Sequence, residues 1–207
     1  YVLDGDVEHQ DSLGNKGIIR PGDVQWMTAG SGIIHQEMPK GSPKGRMWGF
    51  QLWANLPRRE KLMDPRYREV TSTQIPVVKT AEGATVRVIC GEVGGVAGPV
   101  REIVTDPEYL DVSLPAGTSF TRPVKAGYTV FAYVVEGEAY FDPGRNPFGR
   151  EAIGENYFDM QPSCACGEGT IALYEPAGDT VLVPTDKTSV RFLLVSGKPL
   201  KEPVAWY

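Results

Sequence analysis

Histidine is nearly absent: the 207 residues contain two, His9 and His35. A site built mainly from imidazoles is therefore excluded unless its other members lie outside this chain. Cysteine is scarce and odd in number, at Cys90, Cys164 and Cys166, which rules out a disulfide framework. Free thiols suit a reducing compartment, so the cytoplasm is expected, or the nucleus in a eukaryote. Cys164 and Cys166 are too close for a CxxC redox pair or a zinc half-site and read as two thiols in a polar loop. Positive charge is in deficit, with 21 Lys and Arg against 26 Asp and Glu and a net charge of -5. That leaves no broad basic footprint for nucleic acid or an anionic membrane. No apolar run approaches the roughly 18 residues of a membrane span. The longest, 130–135 and 192–195, are strand-sized. Signatures of the GxSxG, P-loop, GxGxxG and CxxC kinds are missing too.

Turn formers are abundant. The 24 glycines and 17 prolines make up about a fifth of the chain, against an average near 12%. Many turns imply many short strands, and the hydrophobic pattern agrees. Leu110, Val112 and Leu114 alternate with Asp111 and Ser113, and Trp48, Phe50 and Leu52 share a face in the same way. Segments 85–89, 128–135, 171–174, 180–183 and 190–195 are β-branched or aromatic and read as strands. A single short helix is predicted near 58–63, stopped before Pro65. The rest reads as an all-β protein, an antiparallel sandwich or barrel.

Tyr1–Asp6 reads as a strand running into an Asp-Gly hairpin turn, and it is echoed by Tyr133–Glu138. Pro-Gly-Asp and Pro-Ala-Gly-Asp turns follow the two copies, at Pro21 and Pro176, with an inserted loop expected over 142–169 in the second. The echo suggests a duplicated β unit. We expect an N-terminal barrel over 1–70, a linker rich in Ser, Thr, Pro and Gly over 71–83, and a second barrel over 84–207. Because the first strand is already under way at Tyr1, the first barrel is expected to be incomplete at its N-terminal side.

The densest chemistry lies between Pro21 and Met38. A Pro21-Gly22-Asp23 turn leads into a strand, Gly30-Ser31-Gly32 breaks it, and extended structure resumes at Ile33. His35 and Glu37, at i and i+2, then point to one face. An imidazole beside a carboxylate suits non-haem Fe(II), and less selectively Mn, Zn or Cu. Spacing alone favours a plainer alternative, a hydrogen-bonded His/Glu pair on a solvated strand. His9 could complete a two-His, one-carboxylate triad if the Tyr1–Asp11 segment folded over the His35 strand. Its polar neighbours Glu8, Gln10 and Asp11 favour a surface hairpin histidine instead.

The blocks Gln25-Trp26-Met27-Thr28-Ala29-Gly30 and His35-Gln36-Glu37-Met38, with Asp11–Asn15 before and Gly49–Leu56 after, resemble the pirin family of bicupins. The similarity continues through Tyr109, 128–141 and 197–204. It implies two tandem cupin-type antiparallel β-barrels with one mononuclear iron site, in the N-terminal barrel. The family's iron is held by three histidines and one glutamate, of which two positions match His35 and Glu37. The other two belong to a His-x-His motif on a strand preceding Tyr1, which this chain does not contain. The His9 position is not a ligand in the family, and the second barrel, which has no histidine, is expected to be metal-free.

Two activities are implied. One is the opening of quercetin or a related flavonol by O2, a quercetin 2,3-dioxygenase-like reaction. Here Glu37 serves as ligand and general base, and Trp26, Met27, Phe50 and Trp53 form the apolar pocket wall. The other is iron-dependent co-regulation of a transcription factor, through protein contacts and not direct contact with nucleic acid.

Overall fold

The computed structural model describes residues 1–142 and 164–204. Most of the loop expected over 142–169, and the last three residues, lie outside the described residues. The chain divides into two compact units. The first comprises Tyr1–Pro76, Gly98–Asp106 and Leu200–Tyr207, and the second Val77–Ala97 and Pro107–Pro199. The stretch 71–83, expected as a linker, holds a 3-10 turn at Ser72–Gln74 and a strand of the second unit's sheet. Among the described residues no helix is long and apolar enough to cross a membrane.

The first unit is built from β1 (Val2–Asp4), β2 (Asp6–Asp11), β3 (Lys16–Ile19), β4 (Val24–Thr28), β5 (His35–Lys40), β6 (Trp48–Gly49) and β7 (Arg66–Val70). They form a three-stranded sheet β3-β2-β5 and two antiparallel pairs, β4-β7 and β1-β6. Val2, Val7 and Ile19 form its small apolar cluster. The Pro21 turn is held by Asp23, whose carboxylate accepts the Arg20 N–H at 2.9 Å and the Ser72 N–H at 2.6 Å.

Three expectations are corrected here. Asp4-Gly5 is not a hairpin turn, because β1 pairs with β6 and not with β2. The Asp4 carboxylate takes the Gly5 N–H at 3.0 Å and Arg46 Nε at 2.7 Å, which turns the chain from one sheet into another. Gly5 allows this corner: its φ is 81°, and an added Cβ would lie 2.6 Å from the Lys40 carbonyl oxygen. The strand expected over 48–53 stops at Gly49, and Leu52 and Trp53 are exposed. The predicted helix near 58–63 is a single 3-10 turn at Arg58–Glu60 that buries no residue. It has no apolar face to dock and is far shorter than a self-sustaining helix.

The second unit contains β8 (Val77–Lys79), β9 (Thr85–Cys90), β10 (Glu92–Val93), β11 (Val96–Ala97), β12 (Glu108–Leu114), β13 (Ser119–Pro123), β14 (Thr129–Ala139), β15 (Cys166–Gly167), β16 (Ile171–Leu173), β17 (Thr180–Pro184) and β18 (Val190–Gly197). The main sheet runs β15-β14-β18-β12-β9-β8, with β16 also on β14, and β13-β17 forms a second antiparallel pair. Leu110, Val112 and Leu114 are buried, as their alternation requires. On the opposite face Asp111 is buried too, under a bidentate contact from Arg191 at 2.7 and 3.0 Å. Phe192 is fully buried and packs edge-on against Phe120 and Phe141. Apolar side chains therefore fill the interior of this unit.

Candidate functional site

The site is set by one strand register. β2 pairs antiparallel with β5, so that Asp11 faces His35 and His9 faces Glu37. Directly opposed residues of neighbouring strands share a sheet face, so all four side chains stand on the same side. Ser12 fixes where β5 begins. Its N–H donates to the Ile34 carbonyl at 2.8 Å, and its hydroxyl accepts the Ile34 N–H at 3.1 Å. Gly30 prepares the approach: with φ at 54°, an added Cβ would lie 2.2 Å from the Met63 carbonyl oxygen.

His9 is buried, with 2% of its surface exposed, which corrects the expectation of a surface hairpin histidine. The Tyr1–Asp11 segment does fold beside the His35 strand, and both His9 ring nitrogens meet protein partners there. Gln25 Nε2 lies 3.0 Å from His9 Nδ1, and His9 Nε2 lies 3.2 Å from Asp11 Oδ2. With the Gln25 amide donating to Nδ1, the ring proton sits on Nε2 and points at Asp11. Both nitrogens are then committed. The Tyr67 ring stacks on the imidazole at 4.7 Å and 10°. Gly17 faces His9 across β2-β3, and an added Cβ there would lie 2.8 Å from Glu69 Oε2.

Asp11 is equally committed. Its carboxylate accepts the N–H groups of Leu13 at 2.9 Å and Asn15 at 3.0 Å, the Asn15 side-chain amide at 2.8 Å, and His9. Burial pushes its pKa up, but the Asn15 and His9 side chains and the backbone of Asn15 and Leu13 outweigh that and hold it at about 2. A carboxylate depressed on folding stabilises the protein above its unfolded pKa, near 3.9, and that contribution is lost as pH falls toward about 2. Thermal melts between about pH 7 and pH 2 should therefore show a drop in stability below about pH 5 that Asp11→Asn lacks, with the variant melting lower at neutral pH. Parallel profiles for the two proteins would remove Asp11 from this role.

His35 and Glu37 differ from the pair opposite them on β2. Both are exposed. The His35 ring lies 6.3 Å from that of His9. The imidazole of His35 and the carboxylate of Glu37 suit two positions of a metal's coordination sphere. Among the described residues no group of three His, Cys, Asp or Glu side chains is placed to hold a metal ion.

The expected pocket residues do not form one wall. Gln25 and Met27 oppose Glu69 and Tyr67 across β4-β7, on the face that meets His9. Trp26 points the other way, into a small recess with Thr28, Arg66, Arg68, Arg101, Glu102 and Ile103. Phe50 is half-buried beside Trp48, with ring centroids 6.5 Å apart, and Trp53 is largely exposed. Asp11, Gln25 and Tyr67 escape the sequence reading. His9-x-Asp11 carries the same i, i+2 signal as His35-x-Glu37 and could have been found. Tyr67 carries no local signal, since only the β4-β7 register brings it to His9.

Comparison with known proteins agrees with this architecture. Residues 1–54 match the Pirin family and residues 109–207 the Pirin C-terminal cupin domain. A pirin-like protein of Caulobacter vibrioides is 39% identical over 208 residues, covering 100% of this chain and 67% of its own length. The chain thus spans about two thirds of that relative. A crystal structure from Geobacillus kaustophilus superposes with a TM-score of 0.80 at 30% identity, over 99% of this chain and 74% of the other. A quercetin 2,3-dioxygenase from Acinetobacter baumannii gives a TM-score of 0.76 at 29% identity, over 100% and 66%. With an all-β bicupin fold and matches to both pirin domains across most of its length, the chain belongs to the pirin family.

Proposed function

We propose that the protein is a cytoplasmic, Fe(II)-dependent dioxygenase that opens quercetin or a related flavonol with O2. The observation that carries this reading is the contrast on one sheet face: His9 and Asp11 are bound up with their neighbours, while His35 and Glu37 stand exposed beside them on β5. His35 and Glu37 would contribute two ligands to the iron. When bound, iron supplies Lewis acidity and an electron path between substrate and O2.

The chain's own residues do the rest. Glu37 is an exposed carboxylate able to accept the flavonol 3-hydroxyl proton, raising electron density on the ring that O2 attacks. The Gln25 bond to His9 ties β2 to β4, and the β2-β5 ladder with the Ser12–Ile34 bonds holds the two donors in register. Met27 and Tyr67 supply apolar surface on the same side. Labelled oxygen tests the reading. Full-length protein supplied with Fe(II), quercetin and 18O2 should place both labelled atoms in organic products, with O2 and quercetin consumed in equal amounts. Hydrogen peroxide with unlabelled organic products, or no quercetin-dependent uptake, would contradict it.

A further inference from the structure

We propose that Arg66 and Arg68 form an oxyanion site for a phosphate group, held in this structure by the protein's own Glu102 carboxylate. All of its residues belong to the first unit. Arg66 and Arg68 lie opposite Thr28 and Trp26 across β4-β7. They therefore point away from the face on which Gln25 meets His9, and the site is separate from the His9 network. Both guanidinium groups converge on one atom. Arg68 Nη2 lies 3.1 Å from Glu102 Oε2, and Arg66 Nη2 lies 3.5 Å from the same oxygen. Their Nη1 groups donate to backbone carbonyls of the same segment, Arg66 to Glu102 at 2.9 Å and Arg68 to Arg101 at 2.5 Å. Arg101 lines the same recess, which brings three arginines together in a chain of net charge -5.

Glu102 uses this site poorly. Its Oε2 alone meets both arginines, and Oε1 makes no hydrogen bond among the described residues. Its backbone is left-handed, with φ at 55°, a conformation that favours glycine. Its side chain is 81% exposed, and an exposed ion pair is held only weakly against water. The carboxylate can therefore swing into solvent while the two carbonyl bonds keep the guanidinium groups in place. The recess behind them holds no more than a water molecule, so a ligand takes the place of the carboxylate at its mouth. A phosphate dianion suits that place better than Glu102 does. It carries twice the charge, and it presents a separate oxygen to each guanidinium fork.

Calorimetric titration of the full-length protein with inorganic phosphate, phenyl phosphate and acetate tests the proposal. The wild type should bind phosphate, and acetate about tenfold more weakly. Glu102→Gln removes the competing charge and should tighten phosphate binding about two- to fivefold. Arg68→Gln should weaken it about tenfold or more. Glu102 is an exposed side chain, so the gain in its variant is readable even where Arg68→Gln fails to fold. Tighter binding of phenyl phosphate assigns the site to a phosphate monoester, and equal or weaker binding assigns it to the free ion. Absence of phosphate binding in both the wild type and Glu102→Gln would overturn the proposal. So would a phosphate affinity that neither substitution changes, or acetate bound as tightly as phosphate.

Discussion

Phe192→Ala should cost the second unit about 3–5 kcal/mol of stability. Phe192 is 0% exposed and sits at the centre of an aromatic cluster. It meets Phe120 at 5.9 Å and 70°, and Phe141 at 5.4 Å and 89°. These are edge-to-face contacts, in which a positive ring edge meets a negative face. Truncation to a methyl removes the transfer free energy of the ring and leaves a cavity that the surrounding sheet closes only in part. Leu110, Val112, Val134 and Leu194 belong to the same core and are held by the β14-β18 and β12-β18 registers, so they have little freedom to collapse inward. Phe192→Leu should cost much less, because an aliphatic side chain fills most of the space. Urea melts followed by circular dichroism measure both. A loss below about 1 kcal/mol for the alanine variant would mean that this interior is not packed as described.

The second unit was the easier half to read from the sequence. Leu110, Val112 and Leu114 announce a strand with one buried face, and Val190, Phe192 and Leu194 announce another, on the β18 strand between β14 and β12. In both the signal is local, because period-two alternation is a property of the strand itself. The echo between Tyr1–Asp6 and Tyr133–Glu138 also has a physical counterpart. Gly5 and Gly137 both have positive φ, at 81° and 72°. Beyond Gly5 the chain changes sheet, and beyond Gly137 the strand exchanges β18 for β15 as its partner.

What escaped the sequence depends on long-range partners. Nothing within five residues of Asp4 identifies Arg46 as the group that converts a hairpin signal into a corner. His9 looks solvated among Glu8, Gln10 and Asp11, and only the pairing with β5 and the Tyr67 stack reveal that it is buried. The pocket forecast placed Trp26 and Met27 together, although adjacent residues on a strand face opposite ways. The His35-x-Glu37 pair was legible because its geometry is set by i, i+2 spacing. Its setting, with a His-x-Asp pair opposite it on the neighbouring strand, was not.

Glu37→Gln should reduce quercetin-dependent O2 uptake by about 10²–10⁴-fold, the range expected when a general base is removed. Glutamine matches glutamate in size and still offers a carbonyl oxygen, so binding shape is conserved while the ability to take a proton is lost. Neighbouring groups cannot substitute. Asp11 is held well below the usual carboxylate range and is saturated with hydrogen bonds, and both His9 nitrogens are engaged. Because Glu37 is also a proposed ligand, metal content must be measured in both proteins, so that the loss is expressed per bound metal.

The most direct test of the His35–Glu37 face as the reactive site is therefore the turnover rate per bound iron, with quercetin and O2, of full-length wild type and Glu37→Gln. The expected result is turnover by the wild type and a rate at least about 100-fold lower in the variant at equal iron occupancy. Equal rates per bound iron would contradict it.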